Sequence, residues 1–320
     1  MKAPRFWQTD GFAAALLAPF AAVTAAVTAR RVARPGWRAP VPVLCIGNAT
    51  VGGTGKTPIT LDIARRLRGR GVEVHLMTRG YGGSSQAAAR VQAEMTAGDA
   101  GDEALLLAAA APCWVGADRA ASARAAIAAG AGALLMDDGL QNPTLAKDCS
   151  LLVIDGAIGF GNGRLLPAGP LREPIGAAAA RCCAAVMVGE DRHGATEQLP
   201  PDLPVLRARL VPGRDMQMLR GERVMGFAGI GRPEKFFATL RDAGIIVVDQ
   251  RGFPDHHAYR ATEISGLRRQ AAALGARLVT TEKDFVRLPA ALRADITPLP
   301  ADIAWEDESG LEALLRQVVA

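Results

Sequence analysis

Thr50-Val51-Gly52-Gly53-Thr54-Gly55-Lys56-Thr57 decides the fold of this 320-residue chain. An apolar run, Val41 to Ile46, precedes it and an amphipathic stretch, Ile59 to Leu67, follows. Strand, glycine-rich loop and helix in that order are the setting in which backbone N–H groups and a helix N-terminus cradle nucleotide phosphates. Gly52, Gly53 and Gly55 let the backbone curl around an anion, Lys56 reaches the β/γ-phosphates, and the Thr57 hydroxyl suits Mg²⁺. The pattern G-x-x-x-x-G-K-[ST] asks for glycine at position 50, where this chain carries Thr50. Because Gly-Lys-Thr stands where a helix should begin, the reading is a nucleoside-triphosphate site rather than a chance glycine-rich turn.

Outward from this loop, apolar runs alternate with helical patterns. Strands are expected at 41–47, 72–77, 133–137, 151–155, 184–189, 205–211, 223–228, 245–249 and 277–280. Helices are expected near 57–69, 101–111, 118–129, 173–181, 233–242, 261–274 and 310–319. Near-continuous Val/Ile/Leu strands between helices predict an α/β, P-loop NTPase-like fold with a mostly parallel sheet covered by helices. The proline-bearing stretch 191–222 reads as a connection between two lobes. The expected organisation is an N-terminal membrane-anchoring helix and basic flank (1–40), a P-loop core (41–204) and a smaller α/β lobe (205–320).

Hydrophobic content of 49% with 22% charged residues is that of a globular chain. A formal charge of +5 favours phosphates, lipid head groups or nucleic acid without choosing among them. No block of consecutive Lys/Arg exists and aromatics are only 5%, so the base-stacking platforms of single-strand binders are not expected. Five cysteines lack C-x-x-C spacing, which points to a reducing compartment and no structural zinc. Adjacent Cys182 and Cys183 are expected to pack as small hydrophobes. Gly11 to Ala29 carries no charge and is followed by Arg30, Arg31, Arg34 and Arg38. A helix of that length spans roughly 28 Å, close to the hydrocarbon thickness of a bilayer. A cleaved signal peptide competes through Val27-Thr28-Ala29, but an ATP-binding loop is useless after export. A retained anchor, spanning or interfacial, with the catalytic body on the cytoplasmic side is the expectation.

Ala133-Leu-Leu-Met-Asp137-Asp138 is an apolar strand ending in two carboxylates, where a Walker-B-type acid holds Mg²⁺ beside the Thr57 hydroxyl. Gly101-Asp102-Glu103 opens a helix, so Asp102 reads either as a cap or as a base. Phe253-Pro-Asp255-His256-His257 reads either as a surface loop or as a His–carboxylate pair. Arg79-Gly-Tyr81-Gly-Gly83 and Asp118-Arg119 fall in loops that line the crevice of open α/β sheets. Gly163 to Pro174 is a Pro/Gly loop whose Arg172 is placed either to stabilise a transferring phosphate or to make an ordinary salt bridge.

Taken together these residues resemble the tetraacyldisaccharide 4'-kinase family, the lipid A 4'-kinases of Gram-negative bacteria. The resemblance spans the N-terminal helix, Gly47-Asn48 and Thr50–Thr57, Thr78-Arg-Gly-Tyr-Gly, Gly101-Asp-Glu, Asp137-Asp-Gly-Leu-Gln141, Leu165-Leu-Pro-Ala-Gly-Pro-Leu-Arg-Glu, Phe253-Pro-Asp-His-His and Thr281-Glu-Lys-Asp. It implies transfer of the ATP γ-phosphate to the 4'-hydroxyl of a tetraacyldisaccharide 1-phosphate, giving lipid IVA at the cytoplasmic face of the inner membrane. It implies ATP and Mg²⁺ as cofactors, a membrane lipid as partner, no nucleic acid and no obligate protein partner. By resemblance Asp102 acts as general base with His256 completing a dyad, and Lys56 and Arg172 stabilise phosphoryl charge. Thr57, Asp137 and Asp138 hold Mg²⁺, and Glu103, Tyr81, Arg119 and Gln141 contact substrate. Many members have His after the Asp-Asp-Gly-x-Gln run; here Asn142 cannot titrate near neutrality and is given no catalytic role.

Two rivals stand beside this reading. A membrane-associated switch ATPase of the partitioning class wants lysine where this chain has Val51. A P-loop kinase of another sugar lipid shares every phosphate-binding residue, and fold alone does not separate the two.

Overall fold

The computed structural model describes residues 4–84 and 87–319; residues 1–3 of the expected N-terminal segment and the last residue of the expected C-terminal lobe lie outside the described residues. Strands β1 (Val43–Gly47), β2 (Val74–Thr78), β3 (Ala89–Arg90), β4 (Cys113–Val115), β5 (Ala133–Asp137), β6 (Cys149–Asp155), β7 (Ala184–Val188) and β8 (Val205–Pro212) enter a large sheet. Strands β9 (Arg223–Ala228), β10 (Ile246–Gly252), β11 (Arg277–Thr281) and β12 (Ile296–Leu299) form a smaller parallel sheet, ordered β10-β9-β11-β12. The chain then returns as β13 (Ala301–Trp305) to the edge of the large sheet.

The nine-stranded sheet runs β13-β8-β7-β6-β1-β5-β2-β4-β3, parallel except where β13 meets β8 and β3 meets β4. Its central strands are buried at every position, as expected of parallel strands covered on both faces. Val43 and Cys45 pack into one layer while Leu44 and Ile46 pack into the other. The chain builds one side of the sheet from β2 to β4, fills the gap beside β1 with β5, and then builds the other side. The order therefore reverses at β1, and the carboxyl end of a strand at such a reversal is where open α/β sheets leave a crevice.

Sheet membership corrects the expected boundary at 204/205. β8 pairs with β7, and β13 pairs antiparallel with β8 from Ala301↔Pro212 to Trp305↔Ala208. The smaller lobe is thus held between two neighbouring crossings, where the Gly213 N–H donates to the Pro300 carbonyl at 3.1 Å. The return of β13 is fixed from the phosphate-loop helix, Lys56–Gly69: Trp305 Nε1 donates to Asp62 Oδ2 at 2.8 Å and Arg65 pairs with Asp302 at 3.0 Å.

The N-terminal helix is Phe12–Val32, extending three residues past the uncharged run to include Arg30 and Arg31. By length and composition it is able to cross a membrane. Phe12, Leu16, Phe20, Val23 and Val27 are exposed, while Ala14 and Ala21 are buried. The segment before it is docked on the Pro/Gly loop: Trp7 Nε1 donates to the Pro167 carbonyl at 3.1 Å, and Arg164 pairs with Asp10 at 2.7 Å. Cys182 is half-buried and Cys183 exposed, so the expectation that both pack as core hydrophobes fails for Cys183, which lies just before β7 begins.

Candidate active site

β1 ends against Leu140 so closely that a Cβ on Gly47 would meet the Leu140 Cβ at 2.5 Å. Asn48 is buried there, and its amide donates to the hydroxyls of Thr50 and Thr54 at 3.5 and 3.3 Å. The loop is stitched to the Pro/Gly loop on its far side: the Val51 N–H donates to Pro170 O at 2.8 Å and the Arg172 N–H to Ala49 O at 2.7 Å. Gly55 takes φ 86°, a left-handed turn that suits glycine, and the helix begins at Lys56. Gly52 and Gly53 face open space. The loop and the first helical turn, whose leading N–H groups have no partner within the helix, therefore present an accessible face.

Lys56 Nζ lies 3.6 Å from Asp138 Oδ1. Thr57 Oγ1 donates to Asp137 Oδ2 at 3.0 Å, and one turn later Thr60 Oγ1 donates to Asp137 Oδ1 at 3.2 Å. Burial pushes the Asp137 carboxyl up to about 7, helped by the nearby Glu103 charge. Asp138 sits in the left-handed region at φ 53° and receives a fork from Arg172 at 2.8 and 3.2 Å. Burial pushes Asp138 up as well, but Lys56 and Arg172 outweigh it and hold the group below the usual carboxylate range. One hydroxyl and two carboxylates form an all-oxygen donor set that fits Mg²⁺. Among the described residues no group of three or more His, Cys, Asp or Glu is arranged to hold a metal by itself, so an ion here would draw the rest of its shell from phosphate and water oxygens.

Arg172 is aimed by its neighbours. Gln141 Oε1 accepts from it at 3.3 Å while the Gln141 amide donates to Asn48 O and to Glu173 Oε1, each at 2.8 Å. Glu173 is 2% exposed and is closed by Arg181 at 2.7 Å. Gln141 is in this way a strut joining phosphate loop, Asp138 turn and Arg172. Arg119 is buried at 2% exposure: its backbone N–H donates to Thr144 Oγ1 at 2.9 Å and its guanidinium to the Gly116 carbonyl. Burial lowers the Arg119 guanidinium to about 10, against the pull of Asp138 and Asp137. Asn142 holds a turn, its Oδ1 accepting from the Thr144 N–H and hydroxyl at 3.0 and 2.9 Å.

Asp102 stands at the start of the helix Asp102–Ala108, and its Oδ2 meets residues of the smaller lobe. Gly101 precedes it at φ 86°, where a Cβ would come within 2.5 Å of the Tyr81 carbonyl oxygen. That close fit seats the turn carrying exposed Tyr81 against the Asp102 helix. His256 Nδ1 lies 3.1 Å from Asp102 Oδ2, delivered by a residue in the left-handed region at φ 58°. Arg287 donates to the same oxygen through Nε at 2.8 Å and again through a terminal nitrogen. Lys283 Nζ lies 3.8 Å from Asp102 Oδ2 and 3.7 Å from Glu103 Oε1. Burial pushes the Asp102 carboxyl up, yet Lys283, Arg287 and His256 together leave it below the usual carboxylate range. A second bridge between the lobes joins Arg232 to Asp155 at 2.6 Å.

The structure thus brings Lys56, Thr57, Asp137, Asp138 and Arg172 together at the end of β1 and β5, and pairs Asp102 with His256. Sequence reasoning left Thr60, Glu173, Lys283 and Arg287 without roles. Thr57 and Thr60 share a helical face by their spacing, as do Lys283 and Arg287, and that periodicity is the signal that points to them.

The tetraacyldisaccharide-1-P 4'-kinase family model matches residues 13–320. The tetraacyldisaccharide 4'-kinase of Gluconacetobacter diazotrophicus is 55% identical over 318 residues, covering 98% of this chain and 97% of its relative. That of Rhodospirillum centenum is 53% identical over 329 residues, covering 100% and 97%. Among solved structures, LpxK from Aquifex aeolicus in complex with ATP superposes with a TM-score of 0.78, covering 96% of this chain and 99% of that one; at 24% identity the likeness bears on the fold.

Proposed function

We propose, because this chain belongs to the tetraacyldisaccharide-1-P 4'-kinase family, that it transfers the γ-phosphate of ATP to the 4'-hydroxyl of tetraacyldisaccharide 1-phosphate, forming lipid IVA. The observation that carries the reading is the nearness of two sites: a phosphate loop with Lys56, Asp138 and Arg172, and Asp102 paired with His256; Glu103, next to Asp102, lies close enough to Asp137 to raise its carboxyl. Asp102 accepts the proton of the 4'-hydroxyl, whose oxygen bonds to the γ-phosphorus as the bond to the β-bridging oxygen of ADP breaks. A carboxylate held below its usual range is a weak base, suited to a loose transfer in which the proton leaves late. His256 orients that carboxylate. Lys56 and Arg172 face the charge that gathers on the phosphoryl oxygens. Thr57, Asp137 and Asp138 would hold Mg²⁺, which supplies Lewis-acid stabilisation of the phosphates when bound.

Gln141 and buried Arg119 support the phosphate side from behind, while Tyr81 and Glu103 stand where the acceptor sugar approaches. The exposed stripe of Phe12–Val32 with Arg30, Arg31, Arg34 and Arg38 beyond it supports attachment to the inner-membrane surface with the lobes on the cytoplasmic side. No protein partner is needed for this chemistry. Incubation of the purified chain with γ-labelled ATP and tetraacyldisaccharide 1-phosphate in micelles tests the assignment. A labelled lipid formed only with Mg²⁺ is the expected result. Release of free phosphate with no labelled lipid, by folded protein that binds ATP, would favour a switch ATPase or a kinase of another sugar lipid.

A further inference from the structure

We propose that Arg287 is the positioning residue for Asp102: from the smaller lobe it fixes which carboxylate oxygen faces the acceptor. The inference rests on the reading of Asp102 as the proton acceptor.

Arg287 closes the helix Glu282–Arg287 and lies 185 positions from Asp102 in the chain. Its side chain is 4% exposed and that of Asp102 6%, so the pair is removed from solvent. Every nitrogen of the guanidinium is engaged. Nε and one terminal nitrogen donate to Asp102 Oδ2, and the other terminal nitrogen donates to Gly229 O at 2.6 Å and Asp284 Oδ1 at 2.9 Å. Asp284 is itself fully buried and accepts from the Gly229 N–H and Tyr259 hydroxyl, each at 2.9 Å, and from the Thr281 hydroxyl at 2.6 Å. The planar fork is therefore clamped at its rear and has no freedom to turn.

The groups facing Asp102 are Arg287 and Lys283 from one helix, His256 from the loop after β10 and Glu103 beside it. Asp284 stands behind Arg287 and Asp255 beside His256. Arg287, His256 and Lys283 all address Oδ2, whereas Oδ1 takes the Glu103 N–H at 3.0 Å. Oδ2 is thus the anchored oxygen and Oδ1 the one that receives the hydroxyl. A neutral side chain at 287 removes both charge and clamp, whereas lysine keeps the charge but lacks the two-point fork.

The test measures kcat, KM and their pH dependence for full-length wild type, Arg287→Gln, Arg287→Lys and Asp102→Asn, with thermal unfolding in parallel. Arg287→Gln is expected to lose about 10²-fold in kcat with KM for ATP changed less than about threefold. The acid limb of its kcat/KM profile moves up by about one pH unit or more. Arg287→Lys restores the acid limb toward wild type while recovering only part of kcat. An unmoved acid limb in Arg287→Gln, or a loss of activity in both variants that matches the loss of folded protein, overturns the positioning role. Asp102→Asn distinguishes the two failures. Its inactivity leaves Asp102 as base while Arg287 is rejected, and its full activity removes the base reading together with this inference.

Discussion

Asp137, beside half-buried Asp138, and Asp102 are both buried acids, yet their sites are built in opposite ways. The partners of the first pair, Thr57, Thr60, Lys56 and Arg172, all come from the large lobe. Those of Asp102, apart from Glu103, come from the smaller lobe. The phosphate side is therefore complete within the large lobe, while the acceptor side exists only when two lobes meet. Their electrostatics differ accordingly. Burial dominates at Asp137 and lifts it to about 7, whereas Lys283, Arg287 and His256 overcome burial at Asp102.

The largest effect is expected at Asp102. Asp102→Asn should lower kcat by about 10²–10⁴-fold, the usual worth of a general base, with ATP affinity nearly unchanged. Lost ATP binding with normal turnover, followed by nucleotide titration and single-turnover transfer, would break the division into two sides. Lys56→Met should lower kcat by about 10²–10³-fold and also weaken nucleotide binding, because it acts on the phosphate side in ground and transition states alike. A pure kcat effect with unaltered ATP affinity would place Lys56 on the acceptor side of the comparison.

Removal of residues 1–29 should reduce turnover on vesicle-embedded substrate about tenfold more than on micellar substrate, since the exposed apolar stripe is lost and the cleft is not. Equal activity on both substrates, compared by initial rates, would sink the anchor. The raised Asp137 value gives a pH signature in metal-free protein. The folded carboxyl keeps its proton up to about 7, while the unfolded one releases it near the ordinary value of about 4. Between these values only the folded state carries the proton, so this contribution to stability is lost as pH rises through that window. Thermal unfolding should show the slope in wild type and lose it in Asp137→Asn; an identical slope in both refutes the assignment. The smallest effect is expected at Asn142→Ala, about 1 kcal/mol of stability from the broken turn, with kcat within about twofold of wild type. A collapse of turnover there would make position 142 part of the chemistry.

Much of the large lobe was legible because its signals are contiguous. β1, the loop and the helix Lys56–Gly69 follow one another within 27 residues, and β5 announces Asp137–Asp138 at its end. The strands that sequence reasoning missed are short or interrupted. β12 contains Pro298, β13 starts directly after Pro300, and β3 spans two residues. β13 is held through its pairing with β8 and by Asp62 of the phosphate-loop helix, so its pattern alone carries little signal. Asp102 and His256 were singled out from the residues but given catalytic roles only through a family resemblance, because each by itself also reads as a cap or a loop residue.

The sequence by itself determined the phosphate loop, the acid-ended strand, the apolar N-terminal helix and the family, since each is written in neighbouring residues or in an ordered series of motifs. Only the tertiary structure decided that Arg287 and His256 converge on one oxygen of Asp102, that Gln141 and Glu173 brace Arg172, and that β8 and β13 belong to the large sheet. Those facts join residues far apart in the chain, Asp102 and Arg287 by 185 positions. Hydrogen bonds and ion pairs at such separations depend on how two packed lobes are docked, and local propensity carries no record of that docking.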